Sequence, residues 1–291
     1  LPLILIFMIT ALKAIPDNKG ENKNITFPLF RITCLGLGVF LTGCTALTET
    51  IAIQIILILS GLILLNYSIK LDSKSKGIGL FPKKPFSFKS PSGTAYWYFI
   101  MISILPVALG IYMPLAYQVI YGLKPIYAGY LSALLAVFWS ISATISSNFT
   151  LNYQKLSLIL GPFISFLSVI LIAFGIGKFS WQIIALLTAL TGTGIGLCMG
   201  HLMNWTMILS TKGEESITAS SIHTVRSLGI CLGAAGSGLI ANTAGLKVNI
   251  EPLIVIKSIF YVELFASAAP AFAIIFGFLL IYHRNNYEKF T

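Results

Sequence analysis

Apolar positions along this chain come in long unbroken runs, not at the spacing of a one-sided helix or an alternating strand. Crossing the roughly 30 Å core of a bilayer takes about 20 apolar residues. Eight stretches reach that length: Phe27–Leu47, Thr50–Ile69, Ala95–Tyr121, Ile126–Ser146, Lys155–Ile176, Trp181–Leu209, Ser216–Ala244 and Ile254–Tyr282. Ahead of them Leu1–Ala14 is apolar but, at about 14 residues, too short to cross. It has no basic leader and no small-residue cleavage site, so it does not read as a signal peptide. The chain does not begin with Met, and residues 1–14 are expected to be the remnant of a helix that starts upstream. Connections are short except Lys70–Thr94, rich in Lys, Ser, Pro and Gly, which predicts an exposed loop. The expected fold is an all-α polytopic membrane helix bundle with about eight full spans.

Composition agrees. The chain is 56% hydrophobic and 10% charged, with a mean hydropathy of +0.89, whereas a soluble domain carries about 25% charge. A net charge of +10 would suggest nucleic acid in a soluble protein, but in a membrane protein it is judged loop by loop. With the loop after the remnant placed inside, fourteen Lys and Arg fall on the inner side and four (Lys124, Lys178, Lys247, Lys257) on the outer, with Arg226 buried. This sorting predicts a multi-pass protein of the plasma (inner) membrane with a cytoplasmic C-terminus. The partners expected are the lipid bilayer and no nucleic acid. The four cysteines lie in apolar segments without zinc or redox spacing, so buried free thiols are expected, with no metal and no cofactor.

Chemistry concentrates between Thr188 and Gly245. Gly192, Gly196 and Gly200 recur every fourth residue, and so do Gly229, Gly233 and Ser237. Small residues at this spacing line one helix face and let two backbones approach closely. Arg226 lies about 15 Å into its helix, too deep to snorkel out. It is either a tether to carbonyls or an acid, or a gating or cavity charge, and both require a partner. Glu263 is the acid well inside a span. A carboxylate in apolar surroundings can take up and release protons, or Glu263 sits at the interface or in a salt bridge, with Lys257 about 9 Å away along the helix. His201 and Asn204 share a face at i, i+3, as do His223 and Arg226. His201 is a candidate proton relay or is bonded to a neighbouring helix. Tyr117 and Gln118 lie near the outer end of their span, where Gln118 serves substrate, an outer gate or an interhelical bond. Pro106, Pro114, Pro162 and Pro270 fall inside helices as hinges or kinks. Trp97, Trp181 and Trp205 lie near span ends, as aromatic anchors do. No Ser/His/Asp, metal or paired-carboxylate constellation faces a shared depth, so the chain is not expected to be an enzyme.

Two stretches resemble a known family. Pro114-Leu-Ala-Tyr-Gln118-Val-Ile-Tyr-Gly122 followed by Ala128-Gly129 is similar to the P-x3-Q-x3-G…AG signature of major facilitator superfamily drug:proton antiporters, the subfamily usually built with fourteen helices. Gly192-x-Gly194-x-Gly196, Ala219-Ser220 and Arg226-Ser-Leu-Gly229-x3-Gly233 resemble its later glycine-rich helix and its R-x-x-G-x3-G helix. Leu80-Phe81-Pro82 and Phe86 sit where that subfamily has a short lead-in rich in Leu and Phe. Ser227 stands where the family often has Gln, and Ser147–Lys155 lacks the Asp/Arg-rich pattern of many relatives. The resemblance implies that residues 1–14 end helix six, that 15–94 hold two extra central helices and a basic loop, and that 95–291 form the C-terminal six-helix half, with the N-terminal half missing. It implies proton-coupled efflux of drugs or other amphipathic organic compounds by alternating access, with Arg226, Gln118, Tyr117 and Asn204 toward substrate or gate and Glu263 and His201 toward protons. The alternatives are a transporter of non-drug metabolites in the same superfamily, or an inactive truncated membrane protein.

Overall fold

A computed structural model describes residues 10, 28–48, 50–74, 79–246 and 250–288. The expectation for Leu1–Ala14 therefore lies almost wholly outside the described residues. Those residues form eight α-helices and no strand: α1 (Leu29–Gly43), α2 (Ile51–Ser73), α3 (Pro91–Val119), α4 (Pro125–Ser146), α5 (Leu151–Gly175), α6 (Trp181–Ile208), α7 (Glu215–Thr243) and α8 (Pro252–Glu288). Helices follow from the apolar runs because hydrocarbon offers backbone N–H and C=O groups no outside partner. Local signals set the ends. Ser90 accepts the Gly93 amide at 3.1 Å with Pro91 behind it, and Pro125 opens α4. Gly122, at φ 65°, closes α3 by donating its amide to the Gln118 carbonyl at 3.1 Å while Leu123 reaches Tyr117 at 3.0 Å.

Seven of the eight helices are long and apolar enough to cross a membrane, not eight. The exception is α1, with 15 residues, or about 22 Å. It tightens after Gly43 into the 3-10 turn Cys44–Leu47, where Thr42 and Thr45 bond the carbonyls of Val39 and Thr42 at 2.7 and 2.8 Å. That turn adds about 8 Å, so the pair together still matches the thickness of a bilayer core.

α3 to α8 form a bundle with an internal repeat. α6 packs on α4 and α5, while α3 packs on α7 and α8; α5 meets α8 and α3 crosses α6. Exchanging the unit α3–α5 for α6–α8 reproduces this pairing, and an odd number of helices per unit inverts the second relative to the first. The exchange is imperfect, since α7 touches α8 while α4 and α5 make no comparable contact. α1 and α2 form a separate antiparallel pair, close at Gly38 and Gly61, that leans on α7 through α1 and the 3-10 turn.

Glycines make the tight crossings. A Cβ on Gly192 or Gly196 would run into the carbonyls of Leu135 or Trp139 on α4, and one on Gly194 into Gly161 of α5. Gly229 and Gly233 face Ile100 and Ile104 of α3, and Ser237 is fully buried. Gly200 departs from the packing expected of it: it is exposed, with nothing within 4 Å of a Cβ. Four residues advance about 400°, so a row of every fourth residue winds about 40° per step and leaves the α4 contact by its third member.

One end of the bundle, the basic end, carries Arg31, Lys70, Lys83, Lys84, Lys89, Lys155, Lys212 and Arg284; the other carries Lys124, Lys178 and Lys257. Residues 79–90 at the basic end are docked, not exposed as expected. Phe81, Pro82 and Pro85 are buried, and Phe88 stacks on Trp97 and Phe276. Asp72 of α2 anchors this segment, accepting the amides of Leu80 (2.8 Å) and Phe81 (2.9 Å) and pairing with Arg31 at 2.5 Å. Trp97 and Trp205 are likewise packed and not free interfacial anchors. Trp97 Nε1 donates to the Phe86 carbonyl at 3.0 Å. Trp205, fully buried, donates to Gln154 Oε1 at 2.8 Å beneath the Arg284 guanidinium. Only Trp181, 37% exposed, keeps an anchor's position.

Candidate functional site: the polar face of α7

Outward faces separate the helices by chemistry. α5 turns Leu160, Phe163, Leu167, Leu171 and Phe174 away from the bundle, and α8 turns Leu264, Phe272, Ile275 and Phe278. These are lipid faces. α7, the least apolar of the seven membrane-length helices, instead exposes Ser216, Ser220, His223 and Ser227. Their spacing of three to four residues keeps them on one stripe, which runs about 17 Å from the basic end toward mid-helix. The opposite side of α7 is committed to α3 through Gly229 and Gly233, which forces the polar residues outward. The same half of the bundle exposes Asn204 of α6 and Ser140 and Thr144 of α4. The two α4 hydroxyls bond their own helix carbonyls at 3.0 and 2.9 Å.

Arg226 lies beside this stripe, half-buried and about 16 Å into α7, with Nε buried and without a hydrogen-bond partner among the described residues. Glu263 is fully buried in α8 with neither carboxylate oxygen bonded to a described residue. It makes no salt bridge among the described residues, and Arg226 and Glu263 are not paired. Tyr112 of α3 lies near Glu263.

The remaining candidates are scattered. His201 is buried at the basic end, stacked on Phe149 at 6.0 Å and facing the Ser146 backbone, with Nε2 unbonded. Tyr117 is buried beside Thr188 near the far end of α3. Gln118 is exposed and donates to the Pro114 carbonyl of its own helix at 3.0 Å. No hydrogen bond joins any two of the six predicted site residues. Sequence reasoning missed Asp72 because its helix was ended at Ile69. It also noted His223 only as a neighbour of Arg226. The signal for the stripe was present in the spacing of Ser216, Ser220, His223 and Ser227, but small polar residues pass unremarked in a glycine-rich segment.

No family model matches the chain. Two proteins of Mycobacterium tuberculosis, from strains CDC 1551 / Oshkosh and ATCC 25618 / H37Rv, are each 29% identical to it over 168 residues. Each is named a probable multidrug-efflux transporter. The match takes in 53% of this chain and 34% of each relative, so the chain matches about a third of the length of these proteins. With seven apolar helices of membrane length and this likeness, the chain is a multi-pass membrane protein.

Proposed function

We propose that the protein is part of a secondary transporter of the major facilitator type that exports amphipathic or cationic organic compounds in exchange for protons. The observation that carries this reading is the polar stripe of α7. A face bearing Ser220, His223, Ser227 and the flank of Arg226 is poorly suited to hydrocarbon and calls for a water-filled path or another protein surface. An inverted three-helix repeat supports the same reading, since such repeats rock about a site near mid-membrane. In this proposal residues 95–291 form one rocking half, residues 15–94 two additional helices and a basic loop, and the other half lies on a part of the protein outside this sequence. The basic end faces the cytoplasm of a plasma-membrane protein.

In this reading the candidate polar residues divide the work. Arg226, short of partners in its own bundle, meets the opposing half or the cargo pathway. Glu263 exchanges protons: burying an ionised carboxylate without a partner is costly, and protonation removes that cost. Asn204 shares the open half with the α7 stripe, while Tyr117 and Gln118 lie at the opposite gate and His201 at the basic end.

Efflux of a fluorescent organic cation from vesicles holding the full-length protein tests this. Efflux is expected to stop when the pH gradient is collapsed. Glu263→Gln is expected to abolish the dependence on the gradient, and Arg226→Gln to abolish efflux while leaving membrane level unchanged. Gradient-independent efflux by the unmodified protein would remove proton coupling. Normal transport by Arg226→Gln would remove the role given to α7.

A further inference from the structure

We infer that the lysine-poor end of the bundle carries a binding site for an anionic diacyl phospholipid, its phosphate held by Lys178 and Lys257 and its two chains lying on either side of α8. Few lysines occupy this end, yet two of them converge. Lys178, in the α5–α6 link, and Lys257, on the second turn of α8, line one groove of about 230 Å³ between α5 and α8, walled by Phe174 and Phe260. On the other flank of α8, Lys257 also borders a groove of about 540 Å³ between α7 and α8, walled by Ile240, Leu264 and Phe265. Tyr261 lines both.

Both lysines are exposed, and neither forms an ion pair or hydrogen bond with a described residue. Their charge is therefore available to a ligand, and an anion is the complementary one. From Lys257 to Phe265 the wider groove descends about 12 Å along α8, most of the depth of one leaflet. At the deep end of the wider groove Gly236 of α7 admits the Phe265 ring of α8, and the groove runs from there toward Ala244 at the end of α7. One lysine, Lys257, between two apolar troughs, with Lys178 joining it in the narrower one, matches one phosphate bearing two acyl chains. A single-chain acid would leave one trough empty, and a cationic compound of the exported class is repelled by both lysines. The inference does not depend on the transport reading.

The test is native mass spectrometry of the full chain released from detergent after incubation with dioleoyl phosphatidylglycerol, dioleoyl phosphatidylcholine or glycerol phosphate. Phosphatidylglycerol is expected to be retained well above phosphatidylcholine. Lys178→Gln and Lys257→Gln should each lower its affinity about 5-fold, and the double variant about 30-fold. Lys124→Gln, at the same end but outside the grooves, should change nothing, and the paired Arg variants should restore retention. All these side chains are exposed, and a single symmetric size-exclusion peak checks folding. Equal retention of phosphatidylcholine, unchanged retention by the double Gln variant, or displacement of the lipid by glycerol phosphate at similar concentration would each overturn the assignment. So would a second copy of the chain occupying the grooves in lipid-free protein.

Discussion

Asp72 offers the sharpest test of how the basic end is held together. Its carboxylate is 3% exposed and receives the Arg31 guanidinium at 2.5 Å, the Leu80 amide at 2.8 Å and the Phe81 amide at 2.9 Å. Asp72→Ala leaves two amides beneath a buried Phe81 without their charged acceptor, about 1.5–3 kcal/mol each, and also removes the Arg31 pair that ties α1 to α2. The amide loss falls on the docked segment, and the lost pair falls on the α1–α2 contact. If segment 79–90 opens locally, its open population should rise roughly 10²- to 10⁴-fold. Limited trypsin digestion reads this directly at the Lys83–Lys84 and Lys89–Ser90 bonds, with the distant Lys178–Phe179 bond as an internal control. Cleavage in the segment should accelerate strongly while the control holds. Arg31→Ala should have a smaller effect, since Asp72 keeps both amides and Arg31 is 15% exposed. Equal cleavage of the segment in the Asp72→Ala and unmodified proteins would refute the idea that this carboxylate fastens the loop to α2.

Further outcomes follow from the packing. Gly192→Leu and Gly196→Leu should prevent stable assembly, because each places a side chain where an α4 carbonyl sits, whereas Gly200→Leu should leave the size-exclusion profile unchanged. Trp205→Phe keeps an aromatic face but removes the bond to Gln154 and leaves a cavity beside the smaller ring, and should lower stability by about 2–4 kcal/mol in denaturant titration of detergent-solubilised protein. His223→Leu should leave the fold intact, since the side chain is exposed, yet impair cation efflux from vesicles; unaltered efflux would count against the α7 stripe as a transport surface. Lys83→Pro removes the amide that reaches Glu214 at 3.3 Å, and should raise tryptic cleavage at the neighbouring Lys212–Gly213 bond.

The apolar runs alone determined that the chain is a set of membrane-length helices, and fixed most ends within a few residues: α4 was expected from Ile126 and begins at Pro125, and both readings end it at Ser146. This legibility comes from the solvent, because a bilayer demands long apolar segments with internally bonded backbones whatever they pack against. The glycine rows predicted close approach, but could not say where each row would leave its neighbour, and Gly200 fell outside for that reason. Docking of 79–90 was hidden because a stretch rich in Lys, Ser and Pro looks the same whether free or held, and the groups that hold it, Asp72, Trp97, Glu214 and Phe276, lie on other elements. The six candidate site residues were identified by type, yet their separation depends on helix rotation and neighbours. Which face of α7 meets α3, and therefore which turns its serines and histidine outward, is a property of the packed bundle, because a helix reads the same from every side until something occupies one of them.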